Sequence, residues 1–197
     1  MSTHLPLLVV LVLAIACNSG GKDSVEKADS ANRANRENDT VPEKKSAITT
    51  GKAGTEFLVK AMDAGLMEIA LGTSAMKKAA DKRVRDFGEM TLKDQTEVNE
   101  KIKGLAAART VAIPTTTSDE NGKIIGRING YSDTAFDKAY IRRMSEIYNE
   151  EIKNFETASS NVDDSEIRSF ITATLPVLRK HLDSCHSIQE GFHVNNR

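Results

Sequence analysis

Residues 57–76, which read FLVKAMDAGLMEIALGTSAM, carry the pattern that decides the fold. One stripe of mostly apolar residues steps by four and three positions and consists of Phe57, Ala61, Ala64, Glu68, Leu71 and Ala75. A second stripe beside it consists of Leu58, Met62, Gly65, Ile69 and Met76. Together they cover one broad side of a helix with about 3.6 residues per turn, and such a side must be buried. The pattern predicts a core-facing helix over residues 54–79.

The same periodicity predicts three more helices of similar length, over residues 81–109, 132–159 and 163–190. Residues 110–131, between the second and third helices, contain Pro114 and several turn signals. We therefore expect a long irregular connection there, with at most a short helical turn near residues 123–128. Four helices joined by short, long and short connections are typical of an all-α four-helix bundle. The bundle is predicted to span residues 54–190, followed by a tail over residues 191–197.

The composition excludes several classes of protein. The chain has 197 residues, with 27 Lys and Arg against 28 Asp and Glu, so its net charge is close to zero. A nucleic-acid partner that binds through a basic surface is therefore not expected. Two Cys cannot make a disulfide framework, and 5% aromatic residues argue against a β-sandwich.

The N-terminus has the pattern of an export signal. Residues 5–16 form an unbroken apolar run, LPLLVVLVLAIA, which as a helix would span only about 18 Å of a bilayer core of about 30 Å. The run ends in small residues before Cys17, an arrangement similar to the lipobox of bacterial lipoproteins. We expect residues 1–16 to be a removed signal peptide and Cys17 to carry a lipid anchor in the membrane. The alternative is an ordinary signal peptide with a chance cysteine.

The residues after Cys17 indicate where the protein is located and how the bundle is connected to the anchor. Asn18 follows Cys17, so the Asp that favours retention in the inner membrane is absent, and we expect an outer-membrane lipoprotein facing the periplasm or the surface. Residues 17–53 have few large apolar side chains, namely Val25, Val41 and Ile48. Such a segment cannot offset its ordering entropy by burial, so it is predicted to be a flexible tether. The alternative is a solvated helix over residues 22–37.

One polar or amphipathic residue interrupts each apolar stripe near its middle, and these residues are Glu68, Gln95, Tyr148 and His181. The sequence position midway between Glu68 and Gln95 falls in one predicted short turn. The position midway between Tyr148 and His181 falls in the other. Each pair therefore lies level in its own hairpin, and all four meet in one layer if the hairpins stack in register. We expect a polar layer inside the bundle.

The chemistry of this layer has three possible forms. A buried carboxylate is costly without a partner, so an ion pair of Glu68 with His181, surrounded by hydrogen bonds from Gln95 and Tyr148, is the first. The second is a transition-metal site with Glu68 and His181 as ligands, to which Cys185, four residues after His181, could add a soft ligand. In the third, the residues are exposed and unrelated.

Other catalytic patterns are absent from the sequence. It contains no Walker loop, no dinucleotide-binding glycine pattern and no Gly-x-Ser-x-Gly. A di-iron bundle needs a Glu-x-x-His pair on two helices, whereas this chain has one such pair, Glu190 and His193, across Gly191. We therefore expect no enzymatic activity, and no cofactor other than the metal ion of the second form.

Several segments resemble the exported bacterial family called domain of unknown function 4142. They are residues 57–72, VRDFGEMTL at residues 84–92, FDKAYI at residues 136–141 and LPVL with HL within residues 175–182. The resemblance implies a ferritin-like bundle in the cell envelope. It also implies a family pattern of one Glu and three His, of which this chain keeps Glu68 and His181 but has Gln95 and Tyr148 at the other positions.

The combined expectation is an exported envelope lipoprotein whose ferritin-like bundle is a non-catalytic binding or structural module. Its partner would be a protein or a small ligand in addition to the membrane. The alternative is a metal-binding or redox protein that uses Glu68 and His181.

Overall fold

The computed structural model describes residues 22–38 and 50–194, and within these residues the chain forms six helices and no strand. The helices are α1 (Ser24–Asn38), α2 (Lys52–Lys78), α3 (Lys82–Ala108), α4 (Asp119–Asn129), α5 (Asp133–Asn161) and α6 (Ser165–Val194). Helices α2, α3, α5 and α6 pack as two hairpins, α2 with α3 and α5 with α6. The predicted all-α four-helix bundle with a long connection in its middle is confirmed. Helix α6 continues to Val194, into the segment predicted as a tail.

A buried carboxylate on α5 holds the turn between α2 and α3. Asp137, which is 1% exposed, accepts hydrogen bonds from the backbone N–H groups of Ala80 (3.1 Å) and Asp81 (2.8 Å). Asp81 in turn caps α3, since its side chain accepts from the N–H of Arg83 at 2.8 Å. The two hairpins are thus joined at this end of the bundle by one side chain.

An ion pair joins the hairpins at the opposite end. Arg109, at the end of α3, donates to both carboxylate oxygens of Asp164, at 2.6 and 2.7 Å, and to Glu166 at 2.8 Å. Its side chain is 1% exposed, and the guanidinium lowers the pKa of Asp164. Asp164 also accepts from the N–H of Ile167 at 3.1 Å, so Asp164 caps α6. A buried arginine without this partner would be strongly destabilising.

The backbones of α2 and α3 lie close together at two glycines. A Cβ atom on Gly88 would lie 2.8 Å from the carbonyl oxygen of Gly72 and 2.7 Å from the Cβ atom of Ala75. A Cβ atom on Gly72 would lie 2.9 Å from the carbonyl oxygen of Gly88. All three distances are shorter than a van der Waals contact, so the packing requires glycine at these positions.

The long connection is more ordered than the sequence predicts, since it contains α4 instead of a short helical turn. Ser118 caps α4 by accepting from the N–H of Asn121 at 3.3 Å. The Asp63 carboxylate on α2 accepts from the N–H of Ser118 (2.7 Å) and from the side-chain amide of Asn121 (2.9 Å). A glycine after Asn121 indicates a turn by local propensity, but tertiary contacts of α4 with α2 and α5 override it.

The structure also differs from the predicted tether. Residues 24–38, within that segment, form α1, which packs against α2. The alternative helix over residues 22–37 therefore exists, but it is docked instead of solvated, because Ala28 and Asn32 are 5% and 3% exposed. The predicted signal peptide and Cys17 lie outside the described residues, as do residues 39–49.

Across the described part of the chain, every helix is too short or too polar to cross a bilayer.

The close approach of α2 and α3 gives a prediction with a matched control. Gly88→Ala should lower the free energy of unfolding by about 1–3 kcal/mol, because the added methyl group overpacks the interface. Gly104→Ala, on the same helix but with open space around its Cα, should raise it by up to about 1 kcal/mol through helix propensity. Urea unfolding monitored by circular dichroism measures both. Equal effects of the two substitutions would show that the glycine contact is not required.

Candidate functional site

The structure places the four residues of the predicted polar layer inside the bundle. Glu68 on α2 and Tyr148 on α5 are 0% exposed, His181 on α6 is 1% exposed and Gln95 on α3 is 2% exposed. The third form weighed above, unrelated exposed residues, is therefore wrong. The partners of these side chains differ from the predicted ones.

His181 pairs with Asp94 instead of Glu68. Its Nε2 atom lies 3.0 Å from Oδ2 of Asp94, a residue of α3 whose side chain is 30% exposed. Burial lowers the pKa of His181, and the Asp94 carboxylate offsets part of that effect. In the neutral ring the Nε2–H group donates to Asp94, which leaves a lone pair on Nδ1. Nδ1 is buried and has no hydrogen-bond partner.

Glu68 lies beside a second buried carboxyl, that of Glu151 on α5. Burial raises the pKa of Glu68 to about 7, and nearby Glu151 and Tyr148 offset this effect in part. Burial and then the charge of Glu68 raise the pKa of Glu151 well above its usual range. Two adjacent buried carboxyls cannot both ionise, so at least one of them holds a proton at neutral pH. Both oxygens of Glu68 lack a well-formed hydrogen bond.

Tyr148 and Gln95 each bind a neighbour that lies on α3. The Tyr148 hydroxyl lies 3.3 Å from the hydroxyl of Thr91, and its ring packs against the His181 ring with centroids 5.2 Å apart. The Gln95 amide donates to Oδ1 of Asn99 at 3.2 Å. The layer therefore consists of four pairs: His181 with Asp94, Glu68 with Glu151, Tyr148 with Thr91, and Gln95 with Asn99.

Sequence reasoning did not identify Asp94 and Glu151 as parts of this site. Glu151 lies three residues after Tyr148, so helical spacing alone could have placed it on the same side of α5. Asp94 precedes Gln95 at the edge of the apolar stripe, where a partly exposed residue is the ordinary expectation. In both cases the missing information is the direction of the side chain across the bundle.

The arrangement does not fit the metal site considered above. Burial and the charge of Glu68 raise the pKa of Cys185 to about 12, so this buried thiol is protonated at neutral pH. Gln95 and Tyr148 are engaged with Asn99 and Thr91, as described. Among residues 22–38 and 50–194, no three His, Cys, Asp or Glu side chains are placed to hold a metal ion together. Within that part of the chain, Glu68, His181 and Cys185 are therefore not placed together as a three-ligand set.

A groove opens along the seam between α3 and α6, which pack together less extensively than α2 with α3 or α5 with α6. Its volume is about 620 Å³. Its uncharged lining consists of Val98, Gly104, Leu105, Ala108, Phe170, Ala173, Thr174 and Val177. Its charged lining consists of Asp94, Glu97, Lys101, Arg109 and Glu166. The Asp94–His181 pair lies at one end of this α3–α6 groove, and the Arg109–Glu166 pair at the other.

Comparisons with known proteins point to a family and a fold. A family model described as a domain of unknown function (DUF4142) matches residues 39–188. The curated proteins contain no match. The crystal structure of a DUF305 fragment from Deinococcus radiodurans is similar with a TM-score of 0.64, at 8% identity, over 72% of this chain and 97% of that one. At this identity the likeness concerns the fold alone.

The carboxyl pair gives a prediction for pH dependence. Because the pKa of Glu68 rises from 4.5 in the unfolded chain to about 7 in the folded one, the folded state binds the extra proton. The free energy of unfolding should therefore fall between about pH 4.5 and pH 7. The glutamine side chain in Glu68→Gln cannot ionise. The decrease in the free energy of unfolding over this pH range should therefore be smaller in the variant, by about 3 kcal/mol at most.

Urea unfolding at a series of pH values measures this slope. His181 contributes the opposite trend in both proteins, because its lowered pKa favours folding as the pH rises. Glu89→Gln, at an exposed position of α3, is the matched control and should leave the slope unchanged. Parallel curves for wild type and Glu68→Gln would contradict the shared-proton assignment.

Proposed function

The chain belongs to the DUF4142 family, and from this premise we propose that it is an exported envelope lipoprotein whose bundle is a non-catalytic binding module. Its ligand is a small, extended, mostly apolar molecule held in the α3–α6 groove. The observation that carries the proposal is the groove itself, a concave apolar surface beside an otherwise closely packed core.

The dimensions of the groove favour a small ligand. Its volume of about 620 Å³ lies within the range of about 300–1,000 Å³ that is usual for small-molecule sites. On α3 the lining runs from Asp94 to Arg109, a length of about 22 Å at 1.5 Å per residue. An extended apolar body fits such a shape better than a compact one.

The apolar part of the groove lining favours a mostly apolar ligand. Asp94 accepts a hydrogen bond from neutral His181, and Glu166 is paired with Arg109, so both carboxylates have a partner within the protein. Between the two pairs, the larger apolar side chains of the lining are Val98, Leu105 and Phe170, and the charged side chains there are Glu97 and Lys101. Burial of apolar surface is the main favourable term in binding an apolar molecule.

Export and anchoring are supported by the sequence of the N-terminus. The apolar run over residues 5–16 ends at Cys17, where a lipoprotein signal would be cut. We place the protein in the cell envelope, in the outer membrane, with the bundle on the periplasmic side or at the surface. Stable anchoring needs two or more acyl chains, which lipidation at an N-terminal cysteine supplies.

The alternative, a metal-binding or redox protein, is not adopted because the donor set does not fit, as described above. The buried polar residues instead position helices. The Asp94–His181 pair links α3 to α6 at one end of the groove and so fixes the width of the seam there.

The groove can be tested with N-phenyl-1-naphthylamine, an uncharged fluorophore that brightens in apolar sites. Gly104 lines the groove and has open space around its Cα, so Gly104→Trp should fill the groove without a clash in the core. We expect the affinity for the probe to fall at least about tenfold, since an energy of 1.4 kcal/mol suffices for that change.

Ala107→Trp is the control for this substitution. Ala107 is exposed on α3 but does not line the groove, so its replacement should leave the affinity unchanged. Wild-type protein that fails to bind the probe, or equal losses in both variants, would remove the groove as a ligand site.

Lipid attachment is a separate prediction. Cys17→Ser should abolish incorporation of radiolabelled fatty acid in cells that express the protein, because the thiol that would be acylated is absent. Cys185→Ser is the control, since that thiol is buried in the bundle core. Unchanged labelling of Cys17→Ser would disprove the lipoprotein assignment.

A further inference from the structure

Hydrogen bonds hold the N-terminal end of α1 against the bundle. The Ser24 hydroxyl accepts hydrogen bonds from the backbone N–H groups of Thr115 (3.2 Å) and Thr116 (3.3 Å). The Asp23 carboxylate accepts from the N–H of Asp119 at 3.4 Å, at the start of α4. The N-terminal end of α1 therefore lies beside the segment over residues 115–119.

Hydrogen bonds also hold the middle of α1 against the bundle. The side-chain amide of Asn32 donates to the carbonyl oxygen of Ala112 at 2.8 Å, and its oxygen accepts from the N–H of the same residue at 2.7 Å. The Asn35 amide donates to the carbonyl oxygen of Thr110 at 3.0 Å. Ala28, on the same side of α1, is 5% exposed. Polar pairing with a backbone segment, and not a large apolar face, holds α1 in place.

This docking shortens the connection between the anchor and the bundle. Cys17 lies six positions before Asp23, and six residue-to-residue steps span at most about 21 Å. If the whole of residues 17–52 were a free chain, its mean span would be about 33 Å and its full extension over 100 Å. Two packed layers of helices are about 20 Å thick. A path over the side of the bundle to its opposite side is longer than that, so a span of about 21 Å cannot reach around the bundle.

We propose that α1 is a strap that holds the bundle in one orientation at the bilayer, with the segment over residues 115–119 nearest the lipid. The inference rests on the proposed lipidation of Cys17. Helix α1 packs on α2, and α4 packs on α2 and α5, so the outer side of α2 faces the membrane. The α3–α6 groove lies on the opposite side of the bundle and faces the aqueous phase, where a ligand can enter.

Energy transfer from the protein to a labelled bilayer tests this orientation. The lipidated full-length chain is reconstituted into phosphatidylcholine vesicles that contain a rhodamine-labelled lipid as acceptor. The donor is attached at Thr116→Cys or, as the matched position, at Ala173→Cys beside the groove. Both positions are exposed, and Cys185 is buried, so the parent protein should take up no donor.

The strap predicts a clear difference between the two positions. Transfer from Thr116→Cys should exceed transfer from Ala173→Cys by about twofold or more, because two packed helices place the sites about 20 Å apart in depth. Adding Ala28→Asp with Asn32→Ala to release α1 should abolish the difference, because the connection then has its full length. Asp29→Ala, at an exposed position of α1, should preserve it.

Two results would overturn the strap, and they are distinguishable from a failure of the anchor. Equal transfer at the two positions, or a difference that survives the release of α1, refutes the fixed orientation while leaving lipidation intact. If instead the wild-type protein associates with the vesicles no better than Cys17→Ser does, the lipid anchor and the strap both fail.

Discussion

The burial of ionisable side chains within the bundle is the constraint on which the rest of the structure depends. A charge moved from water into a protein core is strongly unfavourable unless it is neutralised or paired. The bundle solves this in two ways. Glu68 and Glu151 share a site in which a proton replaces a counter-ion, and neutral His181 donates to the partly exposed Asp94. Each solution requires two helices at a defined height.

The same constraint fixes the ends of the bundle. Asp137 on α5 binds the turn between α2 and α3, and Arg109 at the end of α3 binds Asp164 before α6. A shift of one helix by a single turn would leave these buried groups unpaired, at a cost of about 3–5 kcal/mol for a broken buried pair. The register of the hairpins is therefore set by polar contacts, while the apolar stripes supply most of the driving force. Between the two ends, the seam of α3 and α6 stays open as a groove.

Periodicity was sufficient to predict the four long helices and the burial of Glu68, Gln95, Tyr148 and His181, because burial depends on which side of a helix a residue occupies. It was not sufficient to predict their partners. The Glu68–His181 ion pair was wrong because spacing gives the height and side of a residue but not the direction in which its side chain crosses the bundle.

Helix α1 shows a second limit of the sequence. Its composition is that of a linker, and the contacts that dock it join Asn32 and Asn35 to backbone atoms of Ala112 and Thr110, about 75 to 80 residues away. Almost every residue has a backbone donor and acceptor. Hydrogen bonds from a side chain to backbone groups therefore produce no sequence pattern from which the docking of α1 could be predicted. Helix α4 was underestimated for a related reason, since Asp63 on α2 stabilises its start.

We expect the polar core of the bundle to hold no metal ion, and elemental analysis of the purified protein tests this most directly. The full chain is purified without chelators, incubated with zinc, copper, manganese or iron salts, desalted and analysed by mass spectrometry. The account predicts metal far below one equivalent in both wild type and His181→Ala. Close to one equivalent in the wild type, lost in His181→Ala while the helical circular dichroism persists, would contradict it.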